Sequence, residues 1–195
     1  MEELRRVVLE GEEAARRIVG VELRKTLGRF YILWGSFPVA VSIVYEVARE
    51  WAVLGVVPLY VLCFVVVLGI YIGLTFHIFI SFYRVATSFL KVKSNKRLGV
   101  IVAFYFLSVL TLWFVFGDQL AVVFSASYAA GVAFFTYSVV YSGFTRPRYY
   151  DHMALIGFLL LFPLSFVFTY VFEFVRSLMW IYAGVKSLVE GYGGG

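Results

Sequence analysis

The stretch WAVLGVVPLYVLCFVVVLGIYIGLTFHIFISF, residues 51–82, runs for 32 residues without an Asp, Glu, Lys or Arg. Uncharged apolar runs longer than about 18 residues indicate a membrane span. As a helix this stretch would measure about 48 Å at about 1.5 Å per residue, whereas the hydrocarbon core of a bilayer is about 30 Å thick. The stretch therefore predicts a membrane-crossing helix that projects beyond the inner interface.

The composition of the whole chain agrees with a membrane location. Of its 195 residues, 62% are hydrophobic, 20% are aromatic and only 15% are charged, and the mean hydropathy is +0.90. A soluble domain is about 45–50% apolar and about 25% charged. We expect an all-α, polytopic membrane helix bundle. The first long apolar run begins only at Phe30, which is too late for a cleavable signal peptide.

Six membrane-crossing helices are predicted from the apolar runs and the charged turns between them. They cover approximately residues 30–45, 51–82, 98–116, 120–141, 153–170 and 174–188. The sixth is the weakest, because Arg176 and Lys186 must reach opposite interfaces from its two ends. A five-span alternative, with this C-terminal segment on the membrane surface, stays open. The predicted organisation is an interfacial helix over 1–29, a transmembrane domain over 30–190 and a flexible tail over 191–195.

The distribution of positive charge predicts the orientation. With six spans, one side of the membrane carries 15 of the 17 Lys and Arg residues. The positive-inside rule places that side, and both termini, in the cytoplasm. The opposite side has only short turns, so the bundle is predicted as three hairpins closed at the outer face. An extracellular receptor is thereby excluded, and the expected location is the cell membrane.

Residues 2–28 are predicted to form an amphipathic helix. Its apolar and small residues recur every three or four positions, which is the period of one helix face. They are Leu4, Val7, Val8, Gly11, Ala14, Ala15, Ile18 and Val21. One interpretation is an interfacial anchor for the first span. The other is a docking surface for a cytoplasmic subunit, since Gly11, Ala14 and Ala15 would permit a close approach.

Three basic residues, Arg24, Lys25 and Arg29, lie where this helix is expected to meet the lipid headgroups. Each charge near an anionic membrane surface contributes about 1 kcal/mol of attraction. We therefore expect these residues to bind the lipid interface, with the bilayer as the first partner of the chain.

Small residues spaced four apart predict close helix–helix contacts, either within the chain or with a second copy. Gly69 and Gly73 form such a pair in the second span, and the fourth span contains two more pairs. Those are Ala126 with Ala130 and Ser127 with Gly131. A homo-oligomer or hetero-oligomer is expected on this basis.

Motifs for catalysis and cofactor binding are absent from the sequence. There is no GxxxxGK[ST] loop, HExxH, CxxC or GxSxG motif. His77 is the one ionisable residue inside an uninterrupted span, and a packing role for it is favoured over a ligand role. We expect no enzyme activity, no cofactor, no metal ion and no nucleic-acid partner.

The topology resembles that of the ABC-2-type export permeases, in which an N-terminal elbow helix precedes six spans and a separate cytoplasmic ATPase supplies energy. By this resemblance, the loop after the second span would contact the ATPase through Phe89, Leu90, Lys91 and Lys93. The first hypothesis is therefore a membrane subunit of such a transporter. The alternative is a non-catalytic subunit that anchors or assembles a larger complex. A self-contained channel or carrier formed by several copies is a third hypothesis.

Overall fold

The computed structural model describes residues 1–52, 57–90, 121–164 and 169–193. These residues form five helices and no strand. The helices are α1 (Glu2–Ala52), α2 (Val57–Leu90), α3 (Ala121–Val140), α4 (Tyr149–Leu164) and α5 (Thr169–Gly193). The all-α prediction is confirmed for this part of the chain. The predicted third span, residues 98–116, lies outside the described residues.

Helix α1 is the longest element, with 51 residues and a length of about 76 Å. Its first part consists largely of strong helix formers and carries ion pairs one turn apart, such as Glu12–Arg16 at 3.0 Å and Glu13–Arg17 at 2.7 Å. The helix continues through the predicted boundary at residues 29 and 30 and through Pro38. No break therefore separates the expected interfacial helix from the expected first span.

The other predicted spans correspond to helices with shifted ends. Helix α3 matches the fourth span closely, whereas α4 begins four residues earlier than the predicted fifth span. Helix α5 extends beyond the predicted sixth span at both ends and includes residues 191–193, which were expected to be a flexible tail. Trp180, Ala183 and Ser187 of α5 are buried against the other helices. This segment therefore packs against the bundle, and whether it crosses the membrane or lies on its surface stays a prediction.

Two helical segments are long and apolar enough to cross a membrane, judged by length and composition alone. They are Arg5–Val44 within α1 and Val66–Leu90 within α2. The other apolar segments found among the described residues, Ala129–Val140 and Tyr149–Phe162, are shorter. Six spans and the orientation of the termini thus remain predictions.

Helices α1 and α5 run antiparallel and approach each other through glycines. A Cβ atom added to Gly28 would lie 2.6 Å from Leu188, and one added to Gly184 would lie 2.6 Å from Ile32. Gly35 meets Ile181 in the same way, at 2.9 Å. Large side chains of each helix thus fill the space that glycines leave on the other, which is the arrangement that lets two helix backbones pack closely.

The same alternation continues to the ends of the contact. Gly191 of α5 faces Lys25 of α1, and the carbonyl oxygen of Ser177 lies against Gly35. The contact positions of α1 are therefore 25, 28, 32 and 35, and those of α5 are 177, 181, 184, 188 and 191. Both sets repeat every three and four residues, the spacing of a coiled-coil seam. We call the α1 positions and their continuation along that face the α1 seam.

An aromatic cluster forms the centre of the bundle. Phe30 of α1 lies 5.5 Å from Phe79 of α2, 5.8 Å from Phe135 of α3 and 5.7 Å from Trp180 of α5, measured between ring centroids. The indole N–H of Trp180 donates to the carbonyl oxygen of Ala154 in α4, at 3.0 Å. The one polar atom of the largest buried side chain is thereby satisfied, as burial of an indole requires.

Most of the small residues predicted for helix packing are exposed in the described structure. No atom of the described structure lies within 4 Å of a Cβ built on Gly69 or Gly73. On α3, Ala126 and Ala130 are exposed, and Ser127 and Gly131 are half-buried. The residues that α3 buries are instead Ala129, Ala133, Thr136 and Val140.

Replacing Gly184 by alanine tests the α1–α5 contact. The added methyl group would meet Ile32 and the carbonyl oxygen of Gly28, 2.8 Å away. We expect a loss of about 1–3 kcal/mol from overpacking, which exceeds the gain of up to about 1 kcal/mol in helix propensity. The measurement is the thermal unfolding midpoint of the purified protein.

The matched control is Gly73→Ala, which adds the same methyl group where nothing lies within 4 Å. That variant should unfold at the same temperature as the wild type or slightly higher. Equal destabilisation by both substitutions would contradict the proposed importance of the α1–α5 contact.

Candidate functional site

Four segments meet at one end of the bundle. They are residues 20–31 of α1, the connection 141–148, the first turns of α4 and the last turns of α5. The hydroxyl of Ser187 in α5 donates to the carbonyl oxygen of Arg24 at 2.8 Å, and Phe144 of the connection lies 6.2 Å from Phe82 of α2. The end of α2 therefore lies here too. We call this region the polar end, because it contains the buried ionic network of the bundle.

Arg24 occupies the centre of the polar end and is only 3% exposed. Its NH1 atom donates to Asp151 Oδ2 at 2.6 Å, and its Nε atom donates to Thr145 Oγ1 at 3.0 Å. Its NH2 atom donates to the carbonyl oxygen of Arg146. The ring of Tyr150 lies 5.5 Å from the guanidinium carbon. A buried arginine requires such partners, because an unpaired buried charge is strongly unfavourable.

Asp151 is the anionic partner, and its side chain has no exposed surface. It accepts hydrogen bonds from Arg24, from Tyr31 Oη at 3.2 Å and from the backbone N–H of Arg148 at 2.8 Å. Helix α4 begins at Tyr149, so Asp151 is its third residue and reaches back to the free N–H before the helix. It thus acts like the third-position acid of a capping box.

A second, half-exposed ion pair extends the network outward. Arg148 donates to Glu190 Oε1 through Nε at 2.9 Å and through NH2 at 2.6 Å, and Tyr150 donates to Oε2 of the same carboxylate. Burial raises the pKa of Glu190, but the hydrogen bonds from Arg148 and Tyr150 outweigh it and leave the pKa below its ordinary value. The hydrogen bond to Glu190 correspondingly raises the pKa of Arg148.

Two glycines allow the 141–148 connection to approach α1. Gly143 has φ = +84°, a conformation that side chains other than glycine rarely adopt. A Cβ on Gly20 would lie 2.7 Å from the carbonyl oxygen of Phe144. This close contact places Thr145 and the Arg146 carbonyl within reach of Arg24.

The charged groups at the centre of the polar end join several segments of the bundle. Arg24 and Asp151 are enclosed, and the groups bonded to them come from α1, the connection, α4 and α5. Among the described residues, no three His, Cys, Asp or Glu side chains are grouped so that they could hold a metal ion.

The three residues predicted to bind the lipid interface have different surroundings in the structure. Arg24 is directed into the protein and is engaged by Asp151, so its guanidinium is not available to a headgroup. Lys25 is partly buried, with its Nζ 3.9 Å from Glu22 and 4.8 Å from the ring centroid of Tyr192. Arg29 is exposed and donates to Tyr192 Oη at 3.2 Å.

The residues predicted to couple to a partner lie at or beyond the end of α2. Phe89 is 49% exposed, and Leu90, the last residue of α2, is half-buried. Lys91 and Lys93 lie outside the described residues. His77 is exposed on α2 in the described structure, and its packing role stays a prediction.

Sequence reasoning missed both the Arg24–Asp151 pair and the glycine contact. The first left no local signal, because the two residues are 127 positions apart. The second did leave a signal: glycines seven residues apart at 28 and 35, and again at 184 and 191, with a large aliphatic residue between the members of each pair.

Removing the charge of Arg24 tests the buried pair. Arg24→Met leaves Asp151 buried without a countercharge, and we expect a loss of about 3–5 kcal/mol in the free energy of unfolding. Arg17→Met, which breaks the exposed pair with Glu13, should cost no more than about 1 kcal/mol. Unfolding of the purified variants by denaturant measures both. Adding Asp151→Asn to Arg24→Met should cost less than the sum of the single changes, and strict additivity would contradict the coupling.

The ion pair between Arg148 and Glu190 predicts that the stability of the protein depends on pH. Because the pKa of Glu190 is lower in the folded protein than its ordinary value of 4.5, its contribution to stability is present above that value. It is lost as the pH falls through the folded-state pKa. The difference in unfolding temperature between wild type and Glu190→Gln should therefore be present at about pH 7 and shrink as the pH falls through the lowered pKa of Glu190. A difference in unfolding temperature that stays the same at every pH would indicate steric damage and would contradict this prediction. The control is Glu13→Gln, which removes the carboxylate of an exposed ion pair.

Known proteins provide no assignment for this arrangement. No protein-family model matches the sequence, and neither the curated proteins nor the solved structures yield a match. The function must therefore be inferred from the residues and contacts themselves.

Proposed function

We propose that this chain is a non-catalytic integral membrane subunit that holds a cytoplasmic protein at the inner face of the membrane. The partner would bind the N-terminal part of α1, which extends away from the bundle. The observation that carries this proposal is the uncovered continuation of the α1 seam through residues 7–18. An anchoring role needs no catalytic group, which agrees with the enclosed geometry of the polar end.

The exposed surface of α2 supports a membrane location. The most apolar 18-residue window of its segment Val66–Leu90 has a mean hydropathy of 1.9, yet only 6% of that window is buried inside the protein. A soluble protein rarely exposes an apolar surface of this extent, whereas a lipid-facing helix requires one. The exposed apolar residues of α2 include Val66, Ile70, Ile72, Leu74, Phe76 and Ile80.

The proposed orientation places the polar end at the cytoplasmic surface. The described contacts bring Arg24, Lys25, Arg29 and Arg148 together at this end, close to the C-terminal end of α5. A concentration of positive charge at one end is typical of the cytoplasmic side. In this arrangement both termini are cytoplasmic, and residues 98–116 supply the third of six spans.

The N-terminal part of α1 has the properties of a protein-binding helix. Residues 5–18 are exposed except for the half-buried Ala15. Residues 2–18 contain five acidic and four basic side chains, so an anionic membrane surface attracts them little. Several of these charges are already paired within the helix, as in Arg6–Glu10 at 3.3 Å. These features favour a protein partner over the headgroup layer.

The α1 seam indicates what kind of partner would fit. At positions 25–35 it is filled by α5, whereas at Val7, Gly11, Ala14 and Ile18 the same face is exposed. Gly11 and Ala14 leave room for large side chains, as Gly28 and Gly35 do for Leu188 and Ile181. The expected partner is therefore an amphipathic helix with Leu or Ile opposite Gly11 and Ala14.

A transporter subunit energised by a cytoplasmic ATPase is the second candidate. One observation favours it: α2 is 34 residues long and carries the exposed Phe89 in its last turn, as a helix leading to a coupling loop would. The resemblance to ABC-2 permeases also rested on a separate elbow helix, and α1 has no break there.

Matched charge substitutions in the native host test the anchoring proposal. Ala14→Glu places a charge on the α1 seam, and Leu9→Glu places one on the opposite face; both positions are exposed. After gentle extraction, Ala14→Glu should lose at least about tenfold of a co-purifying cytoplasmic protein that Leu9→Glu retains, since a buried unpaired charge strongly disfavours a contact.

Two other results would overturn the proposal. Extraction of the wild-type chain from membranes by alkaline carbonate would contradict the integral membrane location. Equal partner retention by both variants would contradict docking on the α1 seam. Recovery of an ATPase that is lost upon Phe89→Asp, but not upon Ala14→Glu, would favour the transporter.

A further inference from the structure

An open groove of about 370 Å³ lies between α1 and α2 near the polar end. It extends from Arg29 to Ser36, and its walls are aliphatic. They are formed by Ile32 and Leu33 of α1, Leu74 and Ile78 of α2, and Leu188 of α5. Seven residues of helix separate these two ends, so the groove is about 10 Å long. Its volume lies within the range of about 300–1,000 Å³ that is usual for small-molecule sites.

At the Ser36 end of the groove, polar side chains of α1 and α2 contact each other and close the space between the helices. Ser36 Oγ lies 2.9 Å from Tyr71 Oη, and the indole N–H of Trp34 donates to Thr75 Oγ1 at 2.9 Å. These contacts hold α1 and α2 directly against each other. A flexible hydrocarbon chain can enter such a groove, whereas another helix, about 10–12 Å in diameter, would have to separate the two helices.

The other end of the groove is positively charged. Arg29 is exposed, and among the described residues no carboxylate lies within ion-pair distance of it. Its NH2 atom donates to Tyr192 Oη, and Lys25 lies over the ring of the same tyrosine. Arg29 and Lys25 thus both contact Tyr192, the first at its hydroxyl and the second at its ring, and Lys25 also lies 3.9 Å from Glu22. The guanidinium of Arg29 keeps further N–H groups, which match the oxygen atoms of a phosphate.

We propose that this groove binds one anionic phospholipid of the inner leaflet. The phosphate lies against Arg29 and Lys25, and an acyl chain follows Ile32, Leu33, Leu74 and Ile78 toward Ser36. The proposal rests on the membrane orientation proposed above, because only then is Arg29 at headgroup depth while the aliphatic walls lie in the hydrocarbon. The groove combines a cation at its Arg29 end with apolar walls that end at Ser36. Binding there is therefore distinct from the general attraction of basic residues to a charged membrane surface.

Native mass spectrometry of the purified full-length protein tests the site. Phosphatidylglycerol and phosphatidylcholine with the same acyl chains are added in turn, and bound lipid is counted. The wild type should retain phosphatidylglycerol at least about fivefold more than phosphatidylcholine, the ratio expected for one charge near a membrane surface. Arg29→Gln should remove this preference, whereas Arg84→Gln, an equal charge loss at an exposed position of α2, should leave it unchanged.

Filling the groove tests the acyl-chain part separately. Leu74→Trp, at a side chain that is 45% exposed, should reduce phosphatidylglycerol binding about tenfold, whereas Ile80→Trp, at an exposed position outside the groove, should not. Inorganic phosphate at millimolar concentration should not displace the lipid. Unfolding temperatures of the four variants show whether a loss of binding reflects a loss of fold.

Specific results would overturn the lipid site. If Arg29→Gln and Arg84→Gln reduce the preference for phosphatidylglycerol equally, the lipid is held only by general electrostatic attraction. If inorganic phosphate displaces the lipid, the site binds an anion but no acyl chain. Binding that persists in Leu74→Trp would exclude the groove. Each of these leaves the anchoring proposal intact if the chain resists carbonate extraction, whereas release by carbonate would defeat the membrane location itself.

Discussion

The close approach of α1 and α5 is the constraint on which the rest of the described structure depends. Glycines at 28 and 35 face Leu188 and Ile181, and Gly184 faces Ile32, so a large residue always meets a missing side chain. In a chain this apolar, ordinary hydrophobic contacts hardly discriminate between alternative pairings, because most faces of most helices are aliphatic. Shape complementarity through glycine is what selects one partner and one register.

That register has a direct consequence at the polar end. With α1 and α5 in this alignment, Ser187 reaches the Arg24 carbonyl, and Arg24 itself reaches the aspartate at the start of α4. A shift of α1 by one turn would leave two buried charges without partners, which costs far more than the pair contributes when it is formed. The Arg24–Asp151 pair therefore acts mainly against wrong alignments, while the glycine contact provides the attractive packing.

With the bundle fixed in this way, two surfaces are left without partners in the described structure. The α1 seam is filled by α5 over residues 25–35 and is exposed over residues 7–18. The groove between α1 and α2 is closed at Ser36 and open at Arg29. The first surface has nearly balanced charge, and we propose a helix as its partner. The second combines the exposed Arg29 with aliphatic walls, and we propose that it binds a lipid. The same long helix α1 carries both.

The amino-acid sequence by itself determined the all-α class, the apolar character of α2 and the amphipathic period of residues 2–28, because each depends only on which residues are neighbours along one helix. It also placed α3 to within a residue or so. It could not assign Arg24, which looked like a headgroup ligand, because a charge near an apolar run has the same local pattern whether it faces lipid or Asp151. Nor could the sequence show that Gly28 and Gly184, rather than Gly69 and Gly73, make the close helix contact within the described structure. Every pair of suitably spaced small residues permits such a contact, and the facing helix decides which pair is used. Tertiary structure settled both, because a buried ion pair and a glycine contact are properties of two segments and exist only after those segments have met.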